Sequence, residues 1–230
     1  MIRPLYELFF PPSCAVCDRE LGGNEELVCT ACRHSMPVIE FLSCEDNAVT
    51  HVFEGLLPVK CGISLLYYQK GGMGEKLVHR LKYNGMQEIG DFAGKWLGNI
   101  IRGSSCFEDV QLIVPVPLHP KKYRSRGFNQ LTRFGKAISG ELEIPFMEKA
   151  LLRTLHTQSQ TKRKRVDRFA ASEGSYSVNP VLAGELEGKH ILLIDDVITT
   201  GATMESCGNA LLELPGVTIS VASLALTYHL

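Results

Sequence analysis

The sequence has no apolar run approaching the roughly 18 residues that would span a membrane as a helix. Its opening, MIRPLYELFFPPSC, lacks the long apolar region and small-residue cleavage site of a secretory signal and runs directly into a cysteine pair. It reads as a structured lead-in, which makes the cytoplasm the expected compartment. No internal repeat and no long low-complexity tract is present. Net charge is almost absent too, −1 over 230 residues. These absences argue against a membrane-spanning protein, a repeat array and a polyelectrolyte. What is present suits a globular domain with a small accessory module: 45% of the residues are apolar, enough for a sizeable core.

The near-zero charge hides an asymmetry. Residues 115–170 hold 13 Lys+Arg against 4 Asp+Glu, a balance of +9, and the rest holds 11 against 21, a balance of −10. One segment therefore suits an anionic partner, either phosphates or a nucleic-acid backbone. The plainer reading is a solvated basic face answered by acidic neighbours in the fold.

Eight cysteines are present. Four form Cys14-x2-Cys17 and Cys29-x2-Cys32, separated by eleven residues that contain the turn signal Gly22-Gly23-Asn24. Two such turns bring four thiolates to one tetrahedral ion, the closed set that structural zinc takes. A redox pair is the alternative reading of one CxxC alone. Four protein ligands leave no open coordination position, so the module is structural. Cys61, Cys106 and Cys207 read as buried free thiols. Cys44 lies close enough behind the ribbon to be the remnant of a second metal arm.

Beyond the ribbon, strand and helix patterns alternate. ISLLYYQ (63–69), VQLIVPVP (110–117), HILLIDD (190–196) and VTISVASLAL (217–226) read as strands. The segments 74–85, 92–101, 127–142 and 202–214 read as helices. Such alternation predicts an α/β fold with a mainly parallel sheet flanked by helices. The domains are expected at 1–45 for the zinc ribbon and 46–230 for the main body.

The most informative stretch is ILLIDDVITTGATM, 191–204. Four apolar residues, expected of a strand covered on both faces, lead into Asp195 and Asp196. Thr199, Thr200, Gly201, Ala202 and Thr203 then form a small, hydroxyl-rich turn into a helix. In an open parallel sheet, ligands bind beyond the carboxyl ends of the strands. The helix N-terminus and the threonine hydroxyls suit a phosphate. The carboxylates instead suit the vicinal hydroxyls of a sugar. Together they point to a ribose 5-phosphate. The plainer reading is an acidic strand end with a threonine-rich turn.

This stretch resembles the signature of type I phosphoribosyltransferases. PVPLHPKKYRSRGFNQ (115–130), TQSQTKRKRVDRF (157–169), HRLKYNG (79–85) and the cysteine ribbon extend the resemblance to the ComF family. Arg126 to Gln130 is its most family-specific piece. Many ComF members carry a further CxxC pair where this chain keeps only Cys44. The resemblance implies a type I phosphoribosyltransferase-like fold, similar to the transferase half of amidophosphoribosyltransferase. It also implies a link to DNA uptake in natural competence.

The implied ligands are phosphoribosyl pyrophosphate with Mg²⁺, held by Asp195, Asp196 and the threonine loop. The pyrophosphate loop would be Pro115 to Pro120, with Lys121, Lys122, Arg124 and Arg126 close behind; Lys121 and Arg126 would contact pyrophosphate, with Lys162 and Arg165 on a closing hood over Gln158 to Arg168. The implied partners are single-stranded DNA, gripped by Lys162, Arg163, Lys164, Arg165 and Arg168, and a competence helicase. The sequence leaves open a phosphoribosyltransferase, whether in competence or in nucleotide metabolism, and a non-catalytic DNA-binding module on the same fold.

Overall fold

A computed structural model describes residues 11–40, 43, 46–153 and 176–227. In chain order the elements are α1 (Thr30–His34), α2 (Ala48–Phe53), β1 (Gly62–Tyr68), α3 (Met73–Tyr83) and α4 (Glu88–Arg102). After a 3-10 turn at Ser105–Phe107 come β2 (Leu112–Pro115), α5 (Pro120–Arg126), α6 (Gln130–Leu142), β3 (Leu151–Arg153), β4 (Tyr176–Val178) and α7 (Ala183–Leu186). The chain then runs through β5 (His190–Ile198), α8 (Ala202–Leu212) and β6 (Thr218–Thr227).

The main sheet has four strands in the order β1-β6-β5-β2, every pair parallel. The α/β architecture with a parallel sheet flanked by helices is therefore as expected. β5 lies inside the sheet, and Ile191, Leu192, Leu193 and Ile194 are fully buried on its two faces. Fully burying each such side chain is worth roughly 1.5–3 kcal/mol, which ties the strand firmly into the core. One face carries α3, α4 and α6. The other carries α8, and Phe53 and Leu57 pack against its start and middle near Gly201 and Gly208.

Helices α4 and α6 cross with almost no gap. A Cβ added at Gly94 would meet the Phe134 carbonyl oxygen at 2.5 Å, and one at Gly98 would meet Glu141 Cβ at 2.7 Å. Gly90, Gly94 and Gly98, four residues apart, thus let one helix lie on the other's backbone.

β3 and β4 form a separate antiparallel pair that the sequence reading did not anticipate. It joins Arg153 to Tyr176 in register, on either side of residues 154–175. Their sequences, three residues each, are too short to show the alternation by which strands are recognised. Helix α5 was likewise unforeseen. Pro120 at its first turn and Gly127, left-handed at φ 78°, bound it on either side. This corner is why the next helix starts at Gln130 and not at 127. Asn129 caps it by accepting from the Leu131 N–H.

The cysteine ribbon packs on α3 through a two-pronged contact. Arg80 Nη2 donates to both carboxylate oxygens of Asp18 at 2.7 Å, and Nη1 reaches the Cys14 carbonyl at 3.3 Å. The chain leaving the ribbon pairs with β1, with a bridge between Val38 and Leu66. Among the described residues, no helix is long and apolar enough to cross a membrane.

Candidate functional site

The four ribbon cysteines meet. The thiols of Cys14, Cys17, Cys29 and Cys32 lie within 4.8 Å of one another, and Cys17 and Cys29 Sγ are 3.7 Å apart. A zinc–sulfur bond of about 2.3 Å gives a tetrahedral S···S edge of about 3.8 Å, so the spacing fits zinc. Backbone N–H groups already point at the sulfurs: Val16 and Cys29 donate to Cys14, and Cys32 donates to Cys29. Burial acts to raise the Cys14 thiol pKa. The N–H groups of Cys29, Cys17 and Val16 outweigh it and bring the value down to about 6, favouring the thiolate a metal binds. Burial and the neighbouring thiols push Cys32 the other way. The four cysteines form a structural zinc-ribbon site.

Of the remaining cysteines, Cys207 is a buried free thiol as expected. Cys61 is buried with its thiol on the Cys106 carbonyl at 3.0 Å. Cys106, read as a free thiol, is instead disulfide-bonded. Cys44 falls outside the described residues.

The acidic pair stands near the carboxyl end of β5. The strand runs past the expected end at Asp196, through Val197 and Ile198, so Asp195 and Asp196 point to opposite faces of the sheet. Both nonetheless line one cavity of about 240 Å³, together with Thr199, Thr203, Lys82, Tyr83, Lys122, Arg126, Gln130 and Arg153. A larger cavity of about 1070 Å³, between the ribbon and α4, contains none of these groups.

Asp196 is 5% exposed and both its oxygens are engaged. Lys82 Nζ lies 2.6 Å from Oδ1, and Gln130 Nε2 donates to Oδ2 at 2.6 Å. Gln130 Oε1 accepts in turn from Arg126 Nη1 at 2.8 Å, and the Arg126 guanidinium lies 5.1 Å over the Tyr83 ring. Asp195 is half-buried and its Oδ1 accepts from the Asp196 N–H at 2.8 Å. Burial first, and then the charge of Asp196, push the Asp195 carboxyl up to about 8.

Lys122, Arg126 and Arg153 add positive charge to the cavity lining. Burial, followed by Arg153, Lys121 and Lys122, pushes the His119 imidazole pKa down, a sign of positive potential there. Arg153 stacks over Tyr176 at 5.2 Å, and its buried Nε has no hydrogen-bond partner among the described residues. Such an orphaned donor beside a cavity suits an anion.

Helix α8 begins at the cavity, with Gly201 left-handed at φ 78° as its cap. A Cβ on Gly201 would also press on Phe53 and Val52 at 3.1 Å, so glycine serves both backbone and packing. Thr199 and Thr203 line the cavity, while Thr200, Gly201 and Ala202 complete the turn without lining it. Lys121 is exposed on α5 and does not line the cavity; Lys122 and Arg126 do. Lys162, Arg163, Lys164, Arg165 and Arg168 fall outside the described residues.

Several site residues escaped the sequence reading: Lys82, Tyr83, Gln130 and Arg153. Two family-like runs contained most of them without assigning a role. In HRLKYNG, Arg80 grips the ribbon, Lys82 grips Asp196, Tyr83 underlies Arg126, and Asn84-Gly85 ends the helix. In RGFNQ, a glycine-capped corner folds Arg126 back onto Gln130.

A family model described as "Double zinc ribbon domain" matches residues 5–62. "Competence protein ComFC" of Bacillus subtilis (strain 168) is 26% identical, covering 93% of each chain. This chain is similar to the ComF competence proteins. "Competence protein F" of Haemophilus influenzae is 29% identical over 65% of this chain. "DNA utilization protein YhgH" of Escherichia coli O157:H7 is 28% identical over 66% of it. The match spans 66% of the length of each of those two relatives. Among solved structures, the chain is similar to adenine phosphoribosyltransferase of Leishmania donovani at 19% identity and a TM-score of 0.40, covering 79% of this chain and 81% of that one. It is also similar to the glutamine phosphoribosylpyrophosphate amidotransferase of B. subtilis at 17% identity and a TM-score of 0.40, covering 63% and 30%.

Proposed function

We propose that this chain binds a ribose 5-phosphate group, as phosphoribosyl pyrophosphate or a derivative, in the cavity at the end of β5, and that it serves DNA uptake or processing. One observation carries the reading: a single cavity brings the acidic pair and the threonine turn together with Lys122, Arg126 and Arg153. Carboxylates accept from sugar hydroxyls but repel phosphate; the turn and the cations do the reverse. A ligand needing both at once is a sugar with phosphates attached. The process is suggested by the relatives' names, "Competence protein ComFC" and "DNA utilization protein YhgH".

As a transferase, the site would break the bond between the anomeric carbon and pyrophosphate. The cations of the lining would hold the departing pyrophosphate, and the acids would hold the sugar as positive charge develops on the ring. Magnesium has no cage of its own here. Among the described residues, the one group of three or more side chains placed to hold an ion is the cysteine cluster. Asp196 is already bonded through both oxygens, so any magnesium would arrive on the ligand's phosphates.

The test is calorimetric titration with phosphoribosyl pyrophosphate, with and without Mg²⁺, on wild type and on Asp195→Asn/Asp196→Asn. An amide keeps the shape at both positions, and at Asp196 it loses charge-assisted acceptance, worth roughly 1.5–3 kcal/mol per bond. The double variant should bind at least tenfold more weakly while remaining folded, and equal affinity refutes the role given to the pair. The +9 balance of residues 115–170 favours a second reading, a single-stranded DNA grip on the same basic segment, with or without a helicase partner. The two readings are compatible, and DNA titration tests the second separately.

A further inference from the structure

The site joins two opposed demands. Asp195 and Asp196 line one cavity at the end of a buried strand, and the ligand proposed for them is a polyanion. Uncompensated, the Asp196 carboxylate would repel its phosphates. Lys82 answers this. It comes from α3, which supplies nothing else acidic or basic to the cavity, and its ammonium lies 2.6 Å from Asp196 Oδ1. The pair is largely shielded, the side chains being 21% and 8% exposed. Gln130 fills the second oxygen of Asp196 with a neutral donor, so the charge balance of that carboxylate rests on Lys82.

We infer that Lys82 is a positioning residue that acts through Asp196: it neutralises that carboxylate and so allows a pyrophosphate group to bind beside the acidic pair. The inference rests on the functional reading above and goes beyond it. It assigns Lys82 a role at one remove from the ligand, distinct from that of Lys122, Arg126 and Arg153 in the lining. It also explains why a lysine is placed on the last turn of α3, with Arg80 anchoring the same helix on the ribbon.

The discriminating experiment is a pair of variants titrated with inorganic pyrophosphate. Lys82→Met keeps the side chain's length and removes its charge. Affinity should fall about tenfold or more, because Asp196 is left as an unpaired buried anion facing the ligand. Adding Asp196→Asn to Lys82→Met removes that anion, and pyrophosphate affinity should return to within about threefold of wild type. If Lys82 instead touched the anion directly, the double variant would stay as weak as Lys82→Met, which would overturn the inference. Unchanged affinity in Lys82→Met would overturn it as well.

If Lys82→Met fails to fold, Asp196→Asn alone decides. It should bind pyrophosphate at least as tightly as wild type, since it frees the ammonium and removes a repelling charge, and weaker binding contradicts the inference. Ribose 5-phosphate separates this outcome from the parent reading. Wild-type protein that binds neither probe removes both, whereas binding of both probes without rescue by Asp196→Asn removes only the role of Lys82.

Discussion

Asp195→Asn should make the protein more stable at neutral and alkaline pH, although it deletes a residue of the candidate site. In the folded chain, burial and the charge of Asp196 raise the Asp195 carboxyl from its ordinary 3.8 to about 8. An acid with a raised folded pKa binds its proton more tightly when folded than unfolded. Between about pH 4 and pH 8 the folded state therefore carries the extra proton, and stability falls as pH rises through that window. Each unit crossed costs about 1.4 kcal/mol, so from pH 5 to pH 8 the loss is at most about 4 kcal/mol. The charges of Asp196, Lys82 and Lys122 act on the carboxyl, and the value of about 8 already includes them.

Asparagine cannot ionise and keeps an acceptor for the Asp196 N–H. Urea unfolding of wild type and Asp195→Asn at pH 5, 6, 7 and 8, with zinc kept saturating, isolates the effect, because the other titrating groups cancel in the difference. The variant's advantage should widen steadily with pH. Parallel profiles would refute the account of Asp195 as a carboxyl held protonated by its surroundings.

Other expectations follow from separate parts of the molecule. Metal analysis of protein purified without chelator should find one zinc per chain, lost on replacing any of Cys14, Cys17, Cys29 or Cys32 by serine; zinc-free wild type would contradict the ribbon assignment. Gly94→Ala forces a Cβ to within 2.5 Å of the Phe134 carbonyl oxygen and should cost about 1–3 kcal/mol in chemical denaturation, with no cost if α4 and α6 are not in backbone contact. Gly201→Ala meets a left-handed backbone and should lose roughly 1–2 kcal/mol of stability together with ribose 5-phosphate affinity, both readable by titration and melting. Replacing Lys162, Arg163, Lys164 and Arg165 by alanine should flatten the salt dependence of single-stranded DNA binding by about 0.7 in log–log slope per lost phosphate contact, and an unchanged slope removes those residues from any DNA grip.

The fold was legible where a pattern was long or its chemistry unusual. Ile191 to Ile194 announced a covered strand because only such a strand tolerates four successive apolar residues before two acids. The ribbon was legible because four thiols at that spacing have few other uses. What stayed hidden depends on contacts between distant residues. Nothing local to Lys82 says that its ammonium will reach Asp196, 114 positions later in the chain. Arg153 reaches the cavity only because a three-residue strand pairs with Tyr176–Val178 across a long insertion. Lys121 and Lys122 differ by one position, yet α5 sets only the second at the cavity. A helix rotates successive side chains by about 100°, and a segment first read as a loop gave no means of choosing between them.

The central claim, a ribose 5-phosphate site at the end of β5, is tested most directly by titrating the zinc-loaded wild-type protein with phosphoribosyl pyrophosphate. Saturable binding at one site per chain, competed by ribose 5-phosphate and weakened at least tenfold in Asp195→Asn/Asp196→Asn, is the predicted result. Absence of binding at millimolar ligand, with the protein folded and its zinc in place, would contradict it.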